Sequence, residues 1–293
     1  MPSPYVRRRR LAAELRKLRE NRGLTTDELA KLVYQSRTKI TRLELGQIRP
    51  DLAEVMKILE TLGVEGPRYD RLVRLAREAA EKGWWDRYGN PMGPRQRLAA
   101  DLESSAAKIR CYDQTNMPAI FQLPDFISSI VELDAAHGEL DYRPDRMADA
   151  RLQRQRRIFQ KDGPTYETIL DECVIHRLAV PTKVMTAQLR HLVAVVSAES
   201  RVTVRVLPAN VTIPGGLLPK SSFFLYTFTD HADPPLVVVD TVTTDLVHTQ
   251  RREVAQYTVL YNRLRKAALS PADSLTFLTG VADRQAKQAG SEL

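Results

Sequence analysis

The residues best suited to chemistry on a charged polymer lie together in LTTDELAKLVYQSRTKITRLELGQIRPD, residues 24–51. Arg37, Thr38, Thr41 and Arg42 share one side of a short predicted helix over about 37–45, with Ile40 and Leu43 on the other. An arginine fork matches the edge of guanine, and threonine offers a hydroxyl and a methyl to other base edges. Lys39 adds a further cation on the same helix. The residues before it supply the means of placing it. Thr25 can cap a helix, with Glu28 three residues on to complete a capping box. That helix would bury Leu29, Ala30 and Val33; Tyr34, Gln35 and Ser36 would turn the chain, and Ser36 would cap the second helix. Two short helices joined in this way put the second into the major groove of DNA.

The surroundings agree with that chemistry. Apolar residues recur every three or four positions through Leu11, Leu15, Leu18, then Leu29, Leu32, Val33, then Ile40, Leu43, then Leu52, Val55, Leu59, Leu62. The breaks NRGLTT, YQS, GQIRP and GVEGP are short, which predicts five helices in a compact bundle over residues 1–82. The net positive charge is concentrated at the same end. Residues 1–80 hold 18 Lys and Arg against 11 Asp and Glu, whereas the rest of the chain holds 26 against 25. A local positive field points to an anionic partner for that end. The run Arg7–Arg10 reads either as a disordered basic arm on phosphates or as a solubility feature.

The segment GWWDRYGNPMGP, within 83–94, reads as an aromatic linker that must pack, since Trp84 and Trp85 are unfavourable in water. Beyond it, residues 95–284 read as an α+β regulatory or partner-binding domain, followed by a frayed tail at 285–293. Helices are predicted over 95–113, 125–136, 144–161, 182–200 (Thr182 as N-cap) and 243–268, with a last short one after Ser270. Strands are predicted in YETILDECVI, RVTVRVLP, SSFFLYTF and PPLVVVDT. The fold class is therefore multidomain: an all-α five-helix helix-turn-helix domain, then an α+β domain with a small mixed or antiparallel sheet flanked by helices.

That second half shows no catalytic constellation. None of the five histidines forms an HExxH or pairs with a cysteine at zinc spacing. Cys173 reads as a core thiol in a strand, and Asp171 and Glu172, adjacent in that strand, would point to opposite faces. Gly215-Gly216 reads as a turn and not a phosphate cradle. No enzyme activity, cofactor or metal is implied. Hydrophobic residues at 43% and charged residues at 27% exclude a disordered chain, and two cysteines fit a reducing, cytoplasmic setting. No apolar run approaches the roughly 18 residues of a membrane span, and MPSPYVRRRR lacks an apolar signal core, so neither membrane insertion nor secretion is expected.

Residues 11–65 resemble the phage-repressor-like, or xenobiotic-response-element, helix-turn-helix regulators. The likeness rests on RKLRENRGLT, LAKLV, SRTKITRLELG, RPD and LETLGV together. It implies that Arg37, Thr38 and Arg42 face the bases, that Thr26 and Arg49 hold phosphates near helix ends, and that Arg19 and Glu44 form a buried ion pair. Tyr34 stands where that family usually has glycine, so it must accept a left-handed conformation or reshape the turn.

Residues 84–282 resemble the C-terminal domain of actinobacterial WhiJ-like regulators. The matching stretches are WWDRYG, NMPAIFQLPDF, RLQRQRRIF, ILDECVIHRL, KVMTAQLRHLV, VTVRVLP, FFLYTF and LRKAALSPADS, with PAIFQL in place of the usual PGLLQT. The resemblance implies a regulator of development or secondary metabolism, nucleoid-associated when on DNA. It also implies a small BldB-like protein partner, in pairs sometimes described as toxin–antitoxin-like. The resulting expectation is a repressor of double-stranded DNA sites that works as a homodimer. The rival readings are a protein-partner sensor and a small-molecule receptor whose effector pocket would be lined by Phe223, Phe224, Tyr226 and Trp84. A toxin enzyme ranks last. The helix bearing Tyr257, Leu260, Tyr261 and Leu264 is read as core packing, with a dimer or partner face as the alternative.

Overall fold

The computed structural model describes residues 2–140, 142–177, 179–216 and 218–291. The chain divides into two compact units. The first runs as far as Arg87 and takes in Leu98–Ser105 and Asp230–Asp233; the second is Tyr88–Arg97, Ala106–Thr229 and the chain from Pro234 onward.

The first unit is built on α1 (Pro4–Asn21), α2 (Thr26–Leu32), α3 (Arg37–Glu44), α4 (Leu52–Thr61) and α5 (Gly66–Ala80). The starts are set locally. Ser3 accepts from Val6 N–H at 3.1 Å, and Pro4 sits in the first turn, where its missing N–H leaves no bond unmade. Asp51 accepts from Glu54 N–H at 3.0 Å to open α4. The predicted apolar stripes meet in one core: Leu11 and Leu15 of α1, Leu29 of α2, Ile40 of α3, Val55, Ile58 and Leu59 of α4, and Leu72 and Ala76 of α5. Each large side chain so buried contributes about 1.5–3 kcal/mol.

The N-terminal arginines overturn both expectations for Arg7–Arg10. All four lie in the first turns of α1, and Arg7 is buried. Its Nε lies 3.2 Å from Glu78 Oε2, and its NH2 lies 2.8 Å from Asp230 Oδ2 and 3.3 Å from Asp233 Oδ2. Arg10 NH1 reaches Asp233 Oδ1 at 3.3 Å, and Arg9 NH2 donates to the Tyr5 hydroxyl at 3.1 Å. The helix propensity of PYVRRRRLAAEL and these carboxylates turn an expected arm into a structural element. Within 83–94 the chain forms two 3-10 turns, Trp84–Tyr88 and Asn90–Met92, with Trp85 buried and Trp84 half-buried.

The second unit contains a six-stranded sheet of order β3-β2-β1-β4-β5-β6. Its strands are β1 (Ala106–Asp113), β2 (Thr165–Asp171), β3 (Val202–Leu207), β4 (Phe223–Phe228), β5 (Leu236–Asp240) and β6 (Asp245–His248). β1, β2 and β3 are parallel, and β4, β5 and β6 add antiparallel beyond β1, so the sheet is mixed. The unit's helices are α7 (Pro124–His137), α8 (Pro144–Ile158), α9 (Glu172–His176), α10 (Thr182–Ala198), α11 (Arg251–Ala267) and α12 (Pro271–Ser291), while α6 (Pro94–Glu103) has its first turn in this unit and the rest in the first. Alternate residues Tyr112, Ile169, Phe223, Leu225, Val237 and Val239 cover one face and pack on Val254, Tyr261 and Leu264 of α11. At the β3 edge, Leu269 N–H donates to Val206 O at 2.9 Å and Val206 N–H donates to Ser274 Oγ at 3.0 Å, closing that edge.

Several expectations are corrected here. Residues 95–113 are not one helix: α6 stops at Glu103, and the central strand β1 follows. β1 is enclosed by neighbours on both sides, so AAKIRCYD lacks the clean alternation of a half-exposed strand. The strand predicted in YETILDECVI ends at Asp171, whose carboxylate accepts from Cys173 N–H at 3.0 Å and caps α9. Cys173 is therefore exposed on a short helix, and the core thiol is Cys111. Asp171 and Glu172 do not alternate across a strand. Asp171 also accepts from the Tyr112 hydroxyl at 2.8 Å, while Glu172 accepts from Ala209 N–H at 2.8 Å. Pro181, not Thr182, is the cap of α10, and β6 precedes α11 inside the stretch 243–268. α12 continues as helix to Ser291 where a frayed tail is expected; Glu292 and Leu293 of that tail lie outside the described residues.

Candidate nucleic-acid interface

The turn between α2 and α3 forms as its caps dictate. Thr25 Oγ1 accepts from Glu28 N–H at 3.2 Å, and the Glu28 carboxylate accepts from Thr25 N–H at 2.7 Å, which also holds that carboxyl below its usual range. α2 ends with Gln35 N–H donating to Ala30 O at 2.9 Å and Tyr34 N–H to Lys31 O at 3.3 Å. That pattern needs a left-handed residue, and Tyr34 takes it with φ of 56°. The turn is thus kept, not reshaped, with a tyrosine strained by about 1 kcal/mol. Its exposed ring is covered by the Lys57 ammonium at 4.6 Å from the centroid. Ser36 Oγ then accepts from Lys39 N–H at 3.2 Å to start α3.

The orientation of α3 is fixed from behind. Arg19 Nε and NH2 donate to Glu44 Oε1 and Oε2 at 2.7 and 2.9 Å, and Arg19 NH1 donates to Leu24 O at 2.7 Å. This is the buried pair implied by the resemblance, a bidentate contact that ties α1 to the end of α3. Ile40 and Leu43 face the core. Arg37, Thr38, Thr41 and Arg42 are all exposed on the other side of α3. Among the described residues, none engages these four side chains in a hydrogen bond or ion pair.

The remaining expected contacts are placed differently. Lys39 is half-buried and its ammonium is paired with Glu54 of α4, which also accepts from Gln35 Nε2 at 3.2 Å. Arg49 is exposed, but its NH2 lies 3.1 Å from Asp86 Oδ2, and the same carboxylate accepts from Gly83 N–H at 2.8 Å. Thr26, the first residue of α2, is half-buried beside the Thr25 cap. Glu54 and Asp86 were not legible as partners, because nothing in the spacing of either segment marks which cation it meets.

In the second unit, the aromatics expected to line a pocket are mostly core. Phe223 lies between the rings of Tyr112 and Tyr257, with centroids 6.0 and 5.1 Å away, and Tyr226 is buried. Trp84 belongs to the other unit. Tyr261 and Leu264 are fully buried, with Tyr257 and Leu260 packed beside them, which is the core reading of that helix. Gly215 and Gly216 form a turn with φ of 86° and 66°. Among the described residues, no helix is long and apolar enough to cross a membrane.

A family model described as a helix-turn-helix domain matches residues 10–72, which marks this end as that of a DNA-binding regulator. A second, described as "Domain of unknown function (DUF5753)", matches residues 96–280. Neither the curated proteins nor the solved structures gave a match.

Proposed function

The chain belongs to the DUF5753 family and carries a helix-turn-helix domain ahead of it, and we propose that it is a sequence-specific repressor of transcription whose C-terminal domain receives a signal. The reading is carried by one observation: Arg37, Thr38, Thr41 and Arg42 stand exposed and unengaged on a helix whose orientation is locked by Arg19 and Glu44. Such a row can give guanine a bidentate fork and other bases a hydroxyl or a methyl. Arg49 and Thr26 supply phosphate contacts at the flanks, Arg49 on exchanging Asp86 for a phosphate oxygen. The work is done by binding and not by catalysis.

One such module reads few base pairs, so the protein acts as a two-fold homodimer on half-sites about 34 Å, or a multiple of that, apart. Selection of bound duplexes from a random pool tests this directly. A two-fold-related site is the expected product; a pool that stays random after several rounds contradicts the proposal.

A further inference from the structure

Several buried or half-buried guanidiniums of this fold face a carboxylate or an aromatic ring. Arg7 meets Glu78, Asp230 and Asp233; Arg19 meets Glu44; Arg205 meets Glu167; Arg110 lies 5.4 Å over the ring of Tyr261. Arg151 of α8 departs from this pattern. Its NH1 donates to the neutral amide oxygen of Gln122 at 2.7 Å, and its Nε, shut off from solvent, has no acceptor among the described residues. No described carboxylate is within ion-pair distance. Asp134 of α7 is the acid that faces it from a distance, and that carboxylate already accepts from the Tyr142 hydroxyl at 2.7 Å. One turn along the same face of α8 stands Arg154, itself buried and donating to Gln96. Burial first, and the like charge of Arg154 next, push the Arg151 pKa down to about 10.

The wall opposite is stiff. Gln122 Nε2 donates to Met117 O at 2.7 Å, Gln155 Nε2 to Ala119 O at 2.9 Å, and Gln188 Nε2 to Phe121 O at 2.6 Å, so three glutamines hold the segment 117–123 in place. A half-buried cation with no counter-charge on a rigid frame is unfavourable, and an anion that completes it relieves that cost. We propose that Arg151 anchors an oxyanion, the carboxylate or phosphate of a small metabolite, beside Gln122 and Arg154 in the DUF5753 domain. This rests on the reading that the domain receives a signal, and names the chemistry of that signal. A guanidinium fork suits either oxyanion in a bidentate contact.

The test is thermal unfolding of the full chain without DNA, titrated with inorganic phosphate or with succinate against sodium chloride at matched ionic strength. The wild type is expected to show a melting temperature that rises and saturates with at least one of the two, and which one distinguishes phosphate from carboxylate. Arg151→Met is expected to lose the saturable rise, and without anion to melt at or above the wild type, because a half-buried charge with no counter-charge has gone. A wild type with no saturable response to either anion, or an Arg151→Met variant with the same response, overturns the proposal. Should Arg151→Met not fold, Arg151→Lys decides: its half-saturating concentration is expected to be about tenfold higher, and an unchanged one overturns the site. DNA is absent throughout, so failure here leaves the DNA-binding reading to its own titration.

Discussion

Lys39 and Arg49 carry the same charge as Arg37 and Arg42, yet each is met by a carboxylate of its own chain. For Arg49 the partner Asp86 is a built-in competitor for a phosphate. The pair is only partly covered, with side chains 35% and 17% exposed, so it adds little to stability, on the order of 0–1 kcal/mol. Asp86→Asn should therefore leave the urea midpoint almost unchanged while steepening the salt dependence of DNA binding by about one released counterion. An unchanged slope would show that Arg49 does not reach the backbone. Arg19 and Glu44 behave in the opposite way. Their side chains are almost fully buried and doubly hydrogen-bonded, and removing one partner strands the other. Glu44→Ala should destabilise the N-terminal unit by about 3–5 kcal/mol in urea denaturation, although Glu44 touches no base. The pairing of Arg19 with Glu44 was readable from the resemblance, whereas Asp230 and Asp233 as partners of Arg7 and Arg10 were not. The Arg7–Asp230 and Arg10–Asp233 bonds each span 223 residues, and local pattern carries no information at that range.

At the scale of elements, helices with an apolar stripe and a capping residue were legible, and so were strands flanked by turn residues. α2 and α3 start at the caps read for them, Thr25 and Ser36. β1 was not legible, because a central strand with neighbours on both sides shows no alternation and its Ala, Lys and Arg residues suit a helix equally. β6, four residues long, is too short to show a period. The burial of β1 has a measurable consequence. Asp113 ends that strand with no cation beside it among the described residues, and accepts from the Thr168 hydroxyl at 3.2 Å. Burial pushes its pKa from 3.8 up to about 7, with Asp240 adding to the shift against the hydrogen bonds from Thr168 and Cys111. The folded chain then keeps a proton that the unfolded chain has released. The stability from this group is complete below about pH 4 and is lost as pH rises through about 7. Asp101, raised to about 6 chiefly by burial, has the same sign over a lower window. Urea midpoints between pH 4 and 8 should fall for the wild type. In Asp113→Asn only the lower part of that fall should remain, leaving the variant more stable at pH 8 by up to about 4 kcal/mol. An identical pH profile would mean that Asp113 is not buried as described.

At the scale of the molecule, the net positive charge of the chain and its helix-turn-helix coincide in residues 1–80, and the chain beyond is close to neutral. A chain arranged in this way concentrates its electrostatic attraction on the part that also carries α3. The central claim is that α3 reads bases and does not merely add to that attraction. The most direct measurement is fluorescence anisotropy of wild type and of Arg37→Ala with Arg42→Ala on the best selected duplex, across a salt series. Two lost bidentate contacts should weaken specific binding by roughly 100-fold or more, down to a salt-steep background equal on any sequence. If the double variant binds the selected duplex as the wild type does, α3 is an electrostatic anchor only, and the account of the interface is wrong.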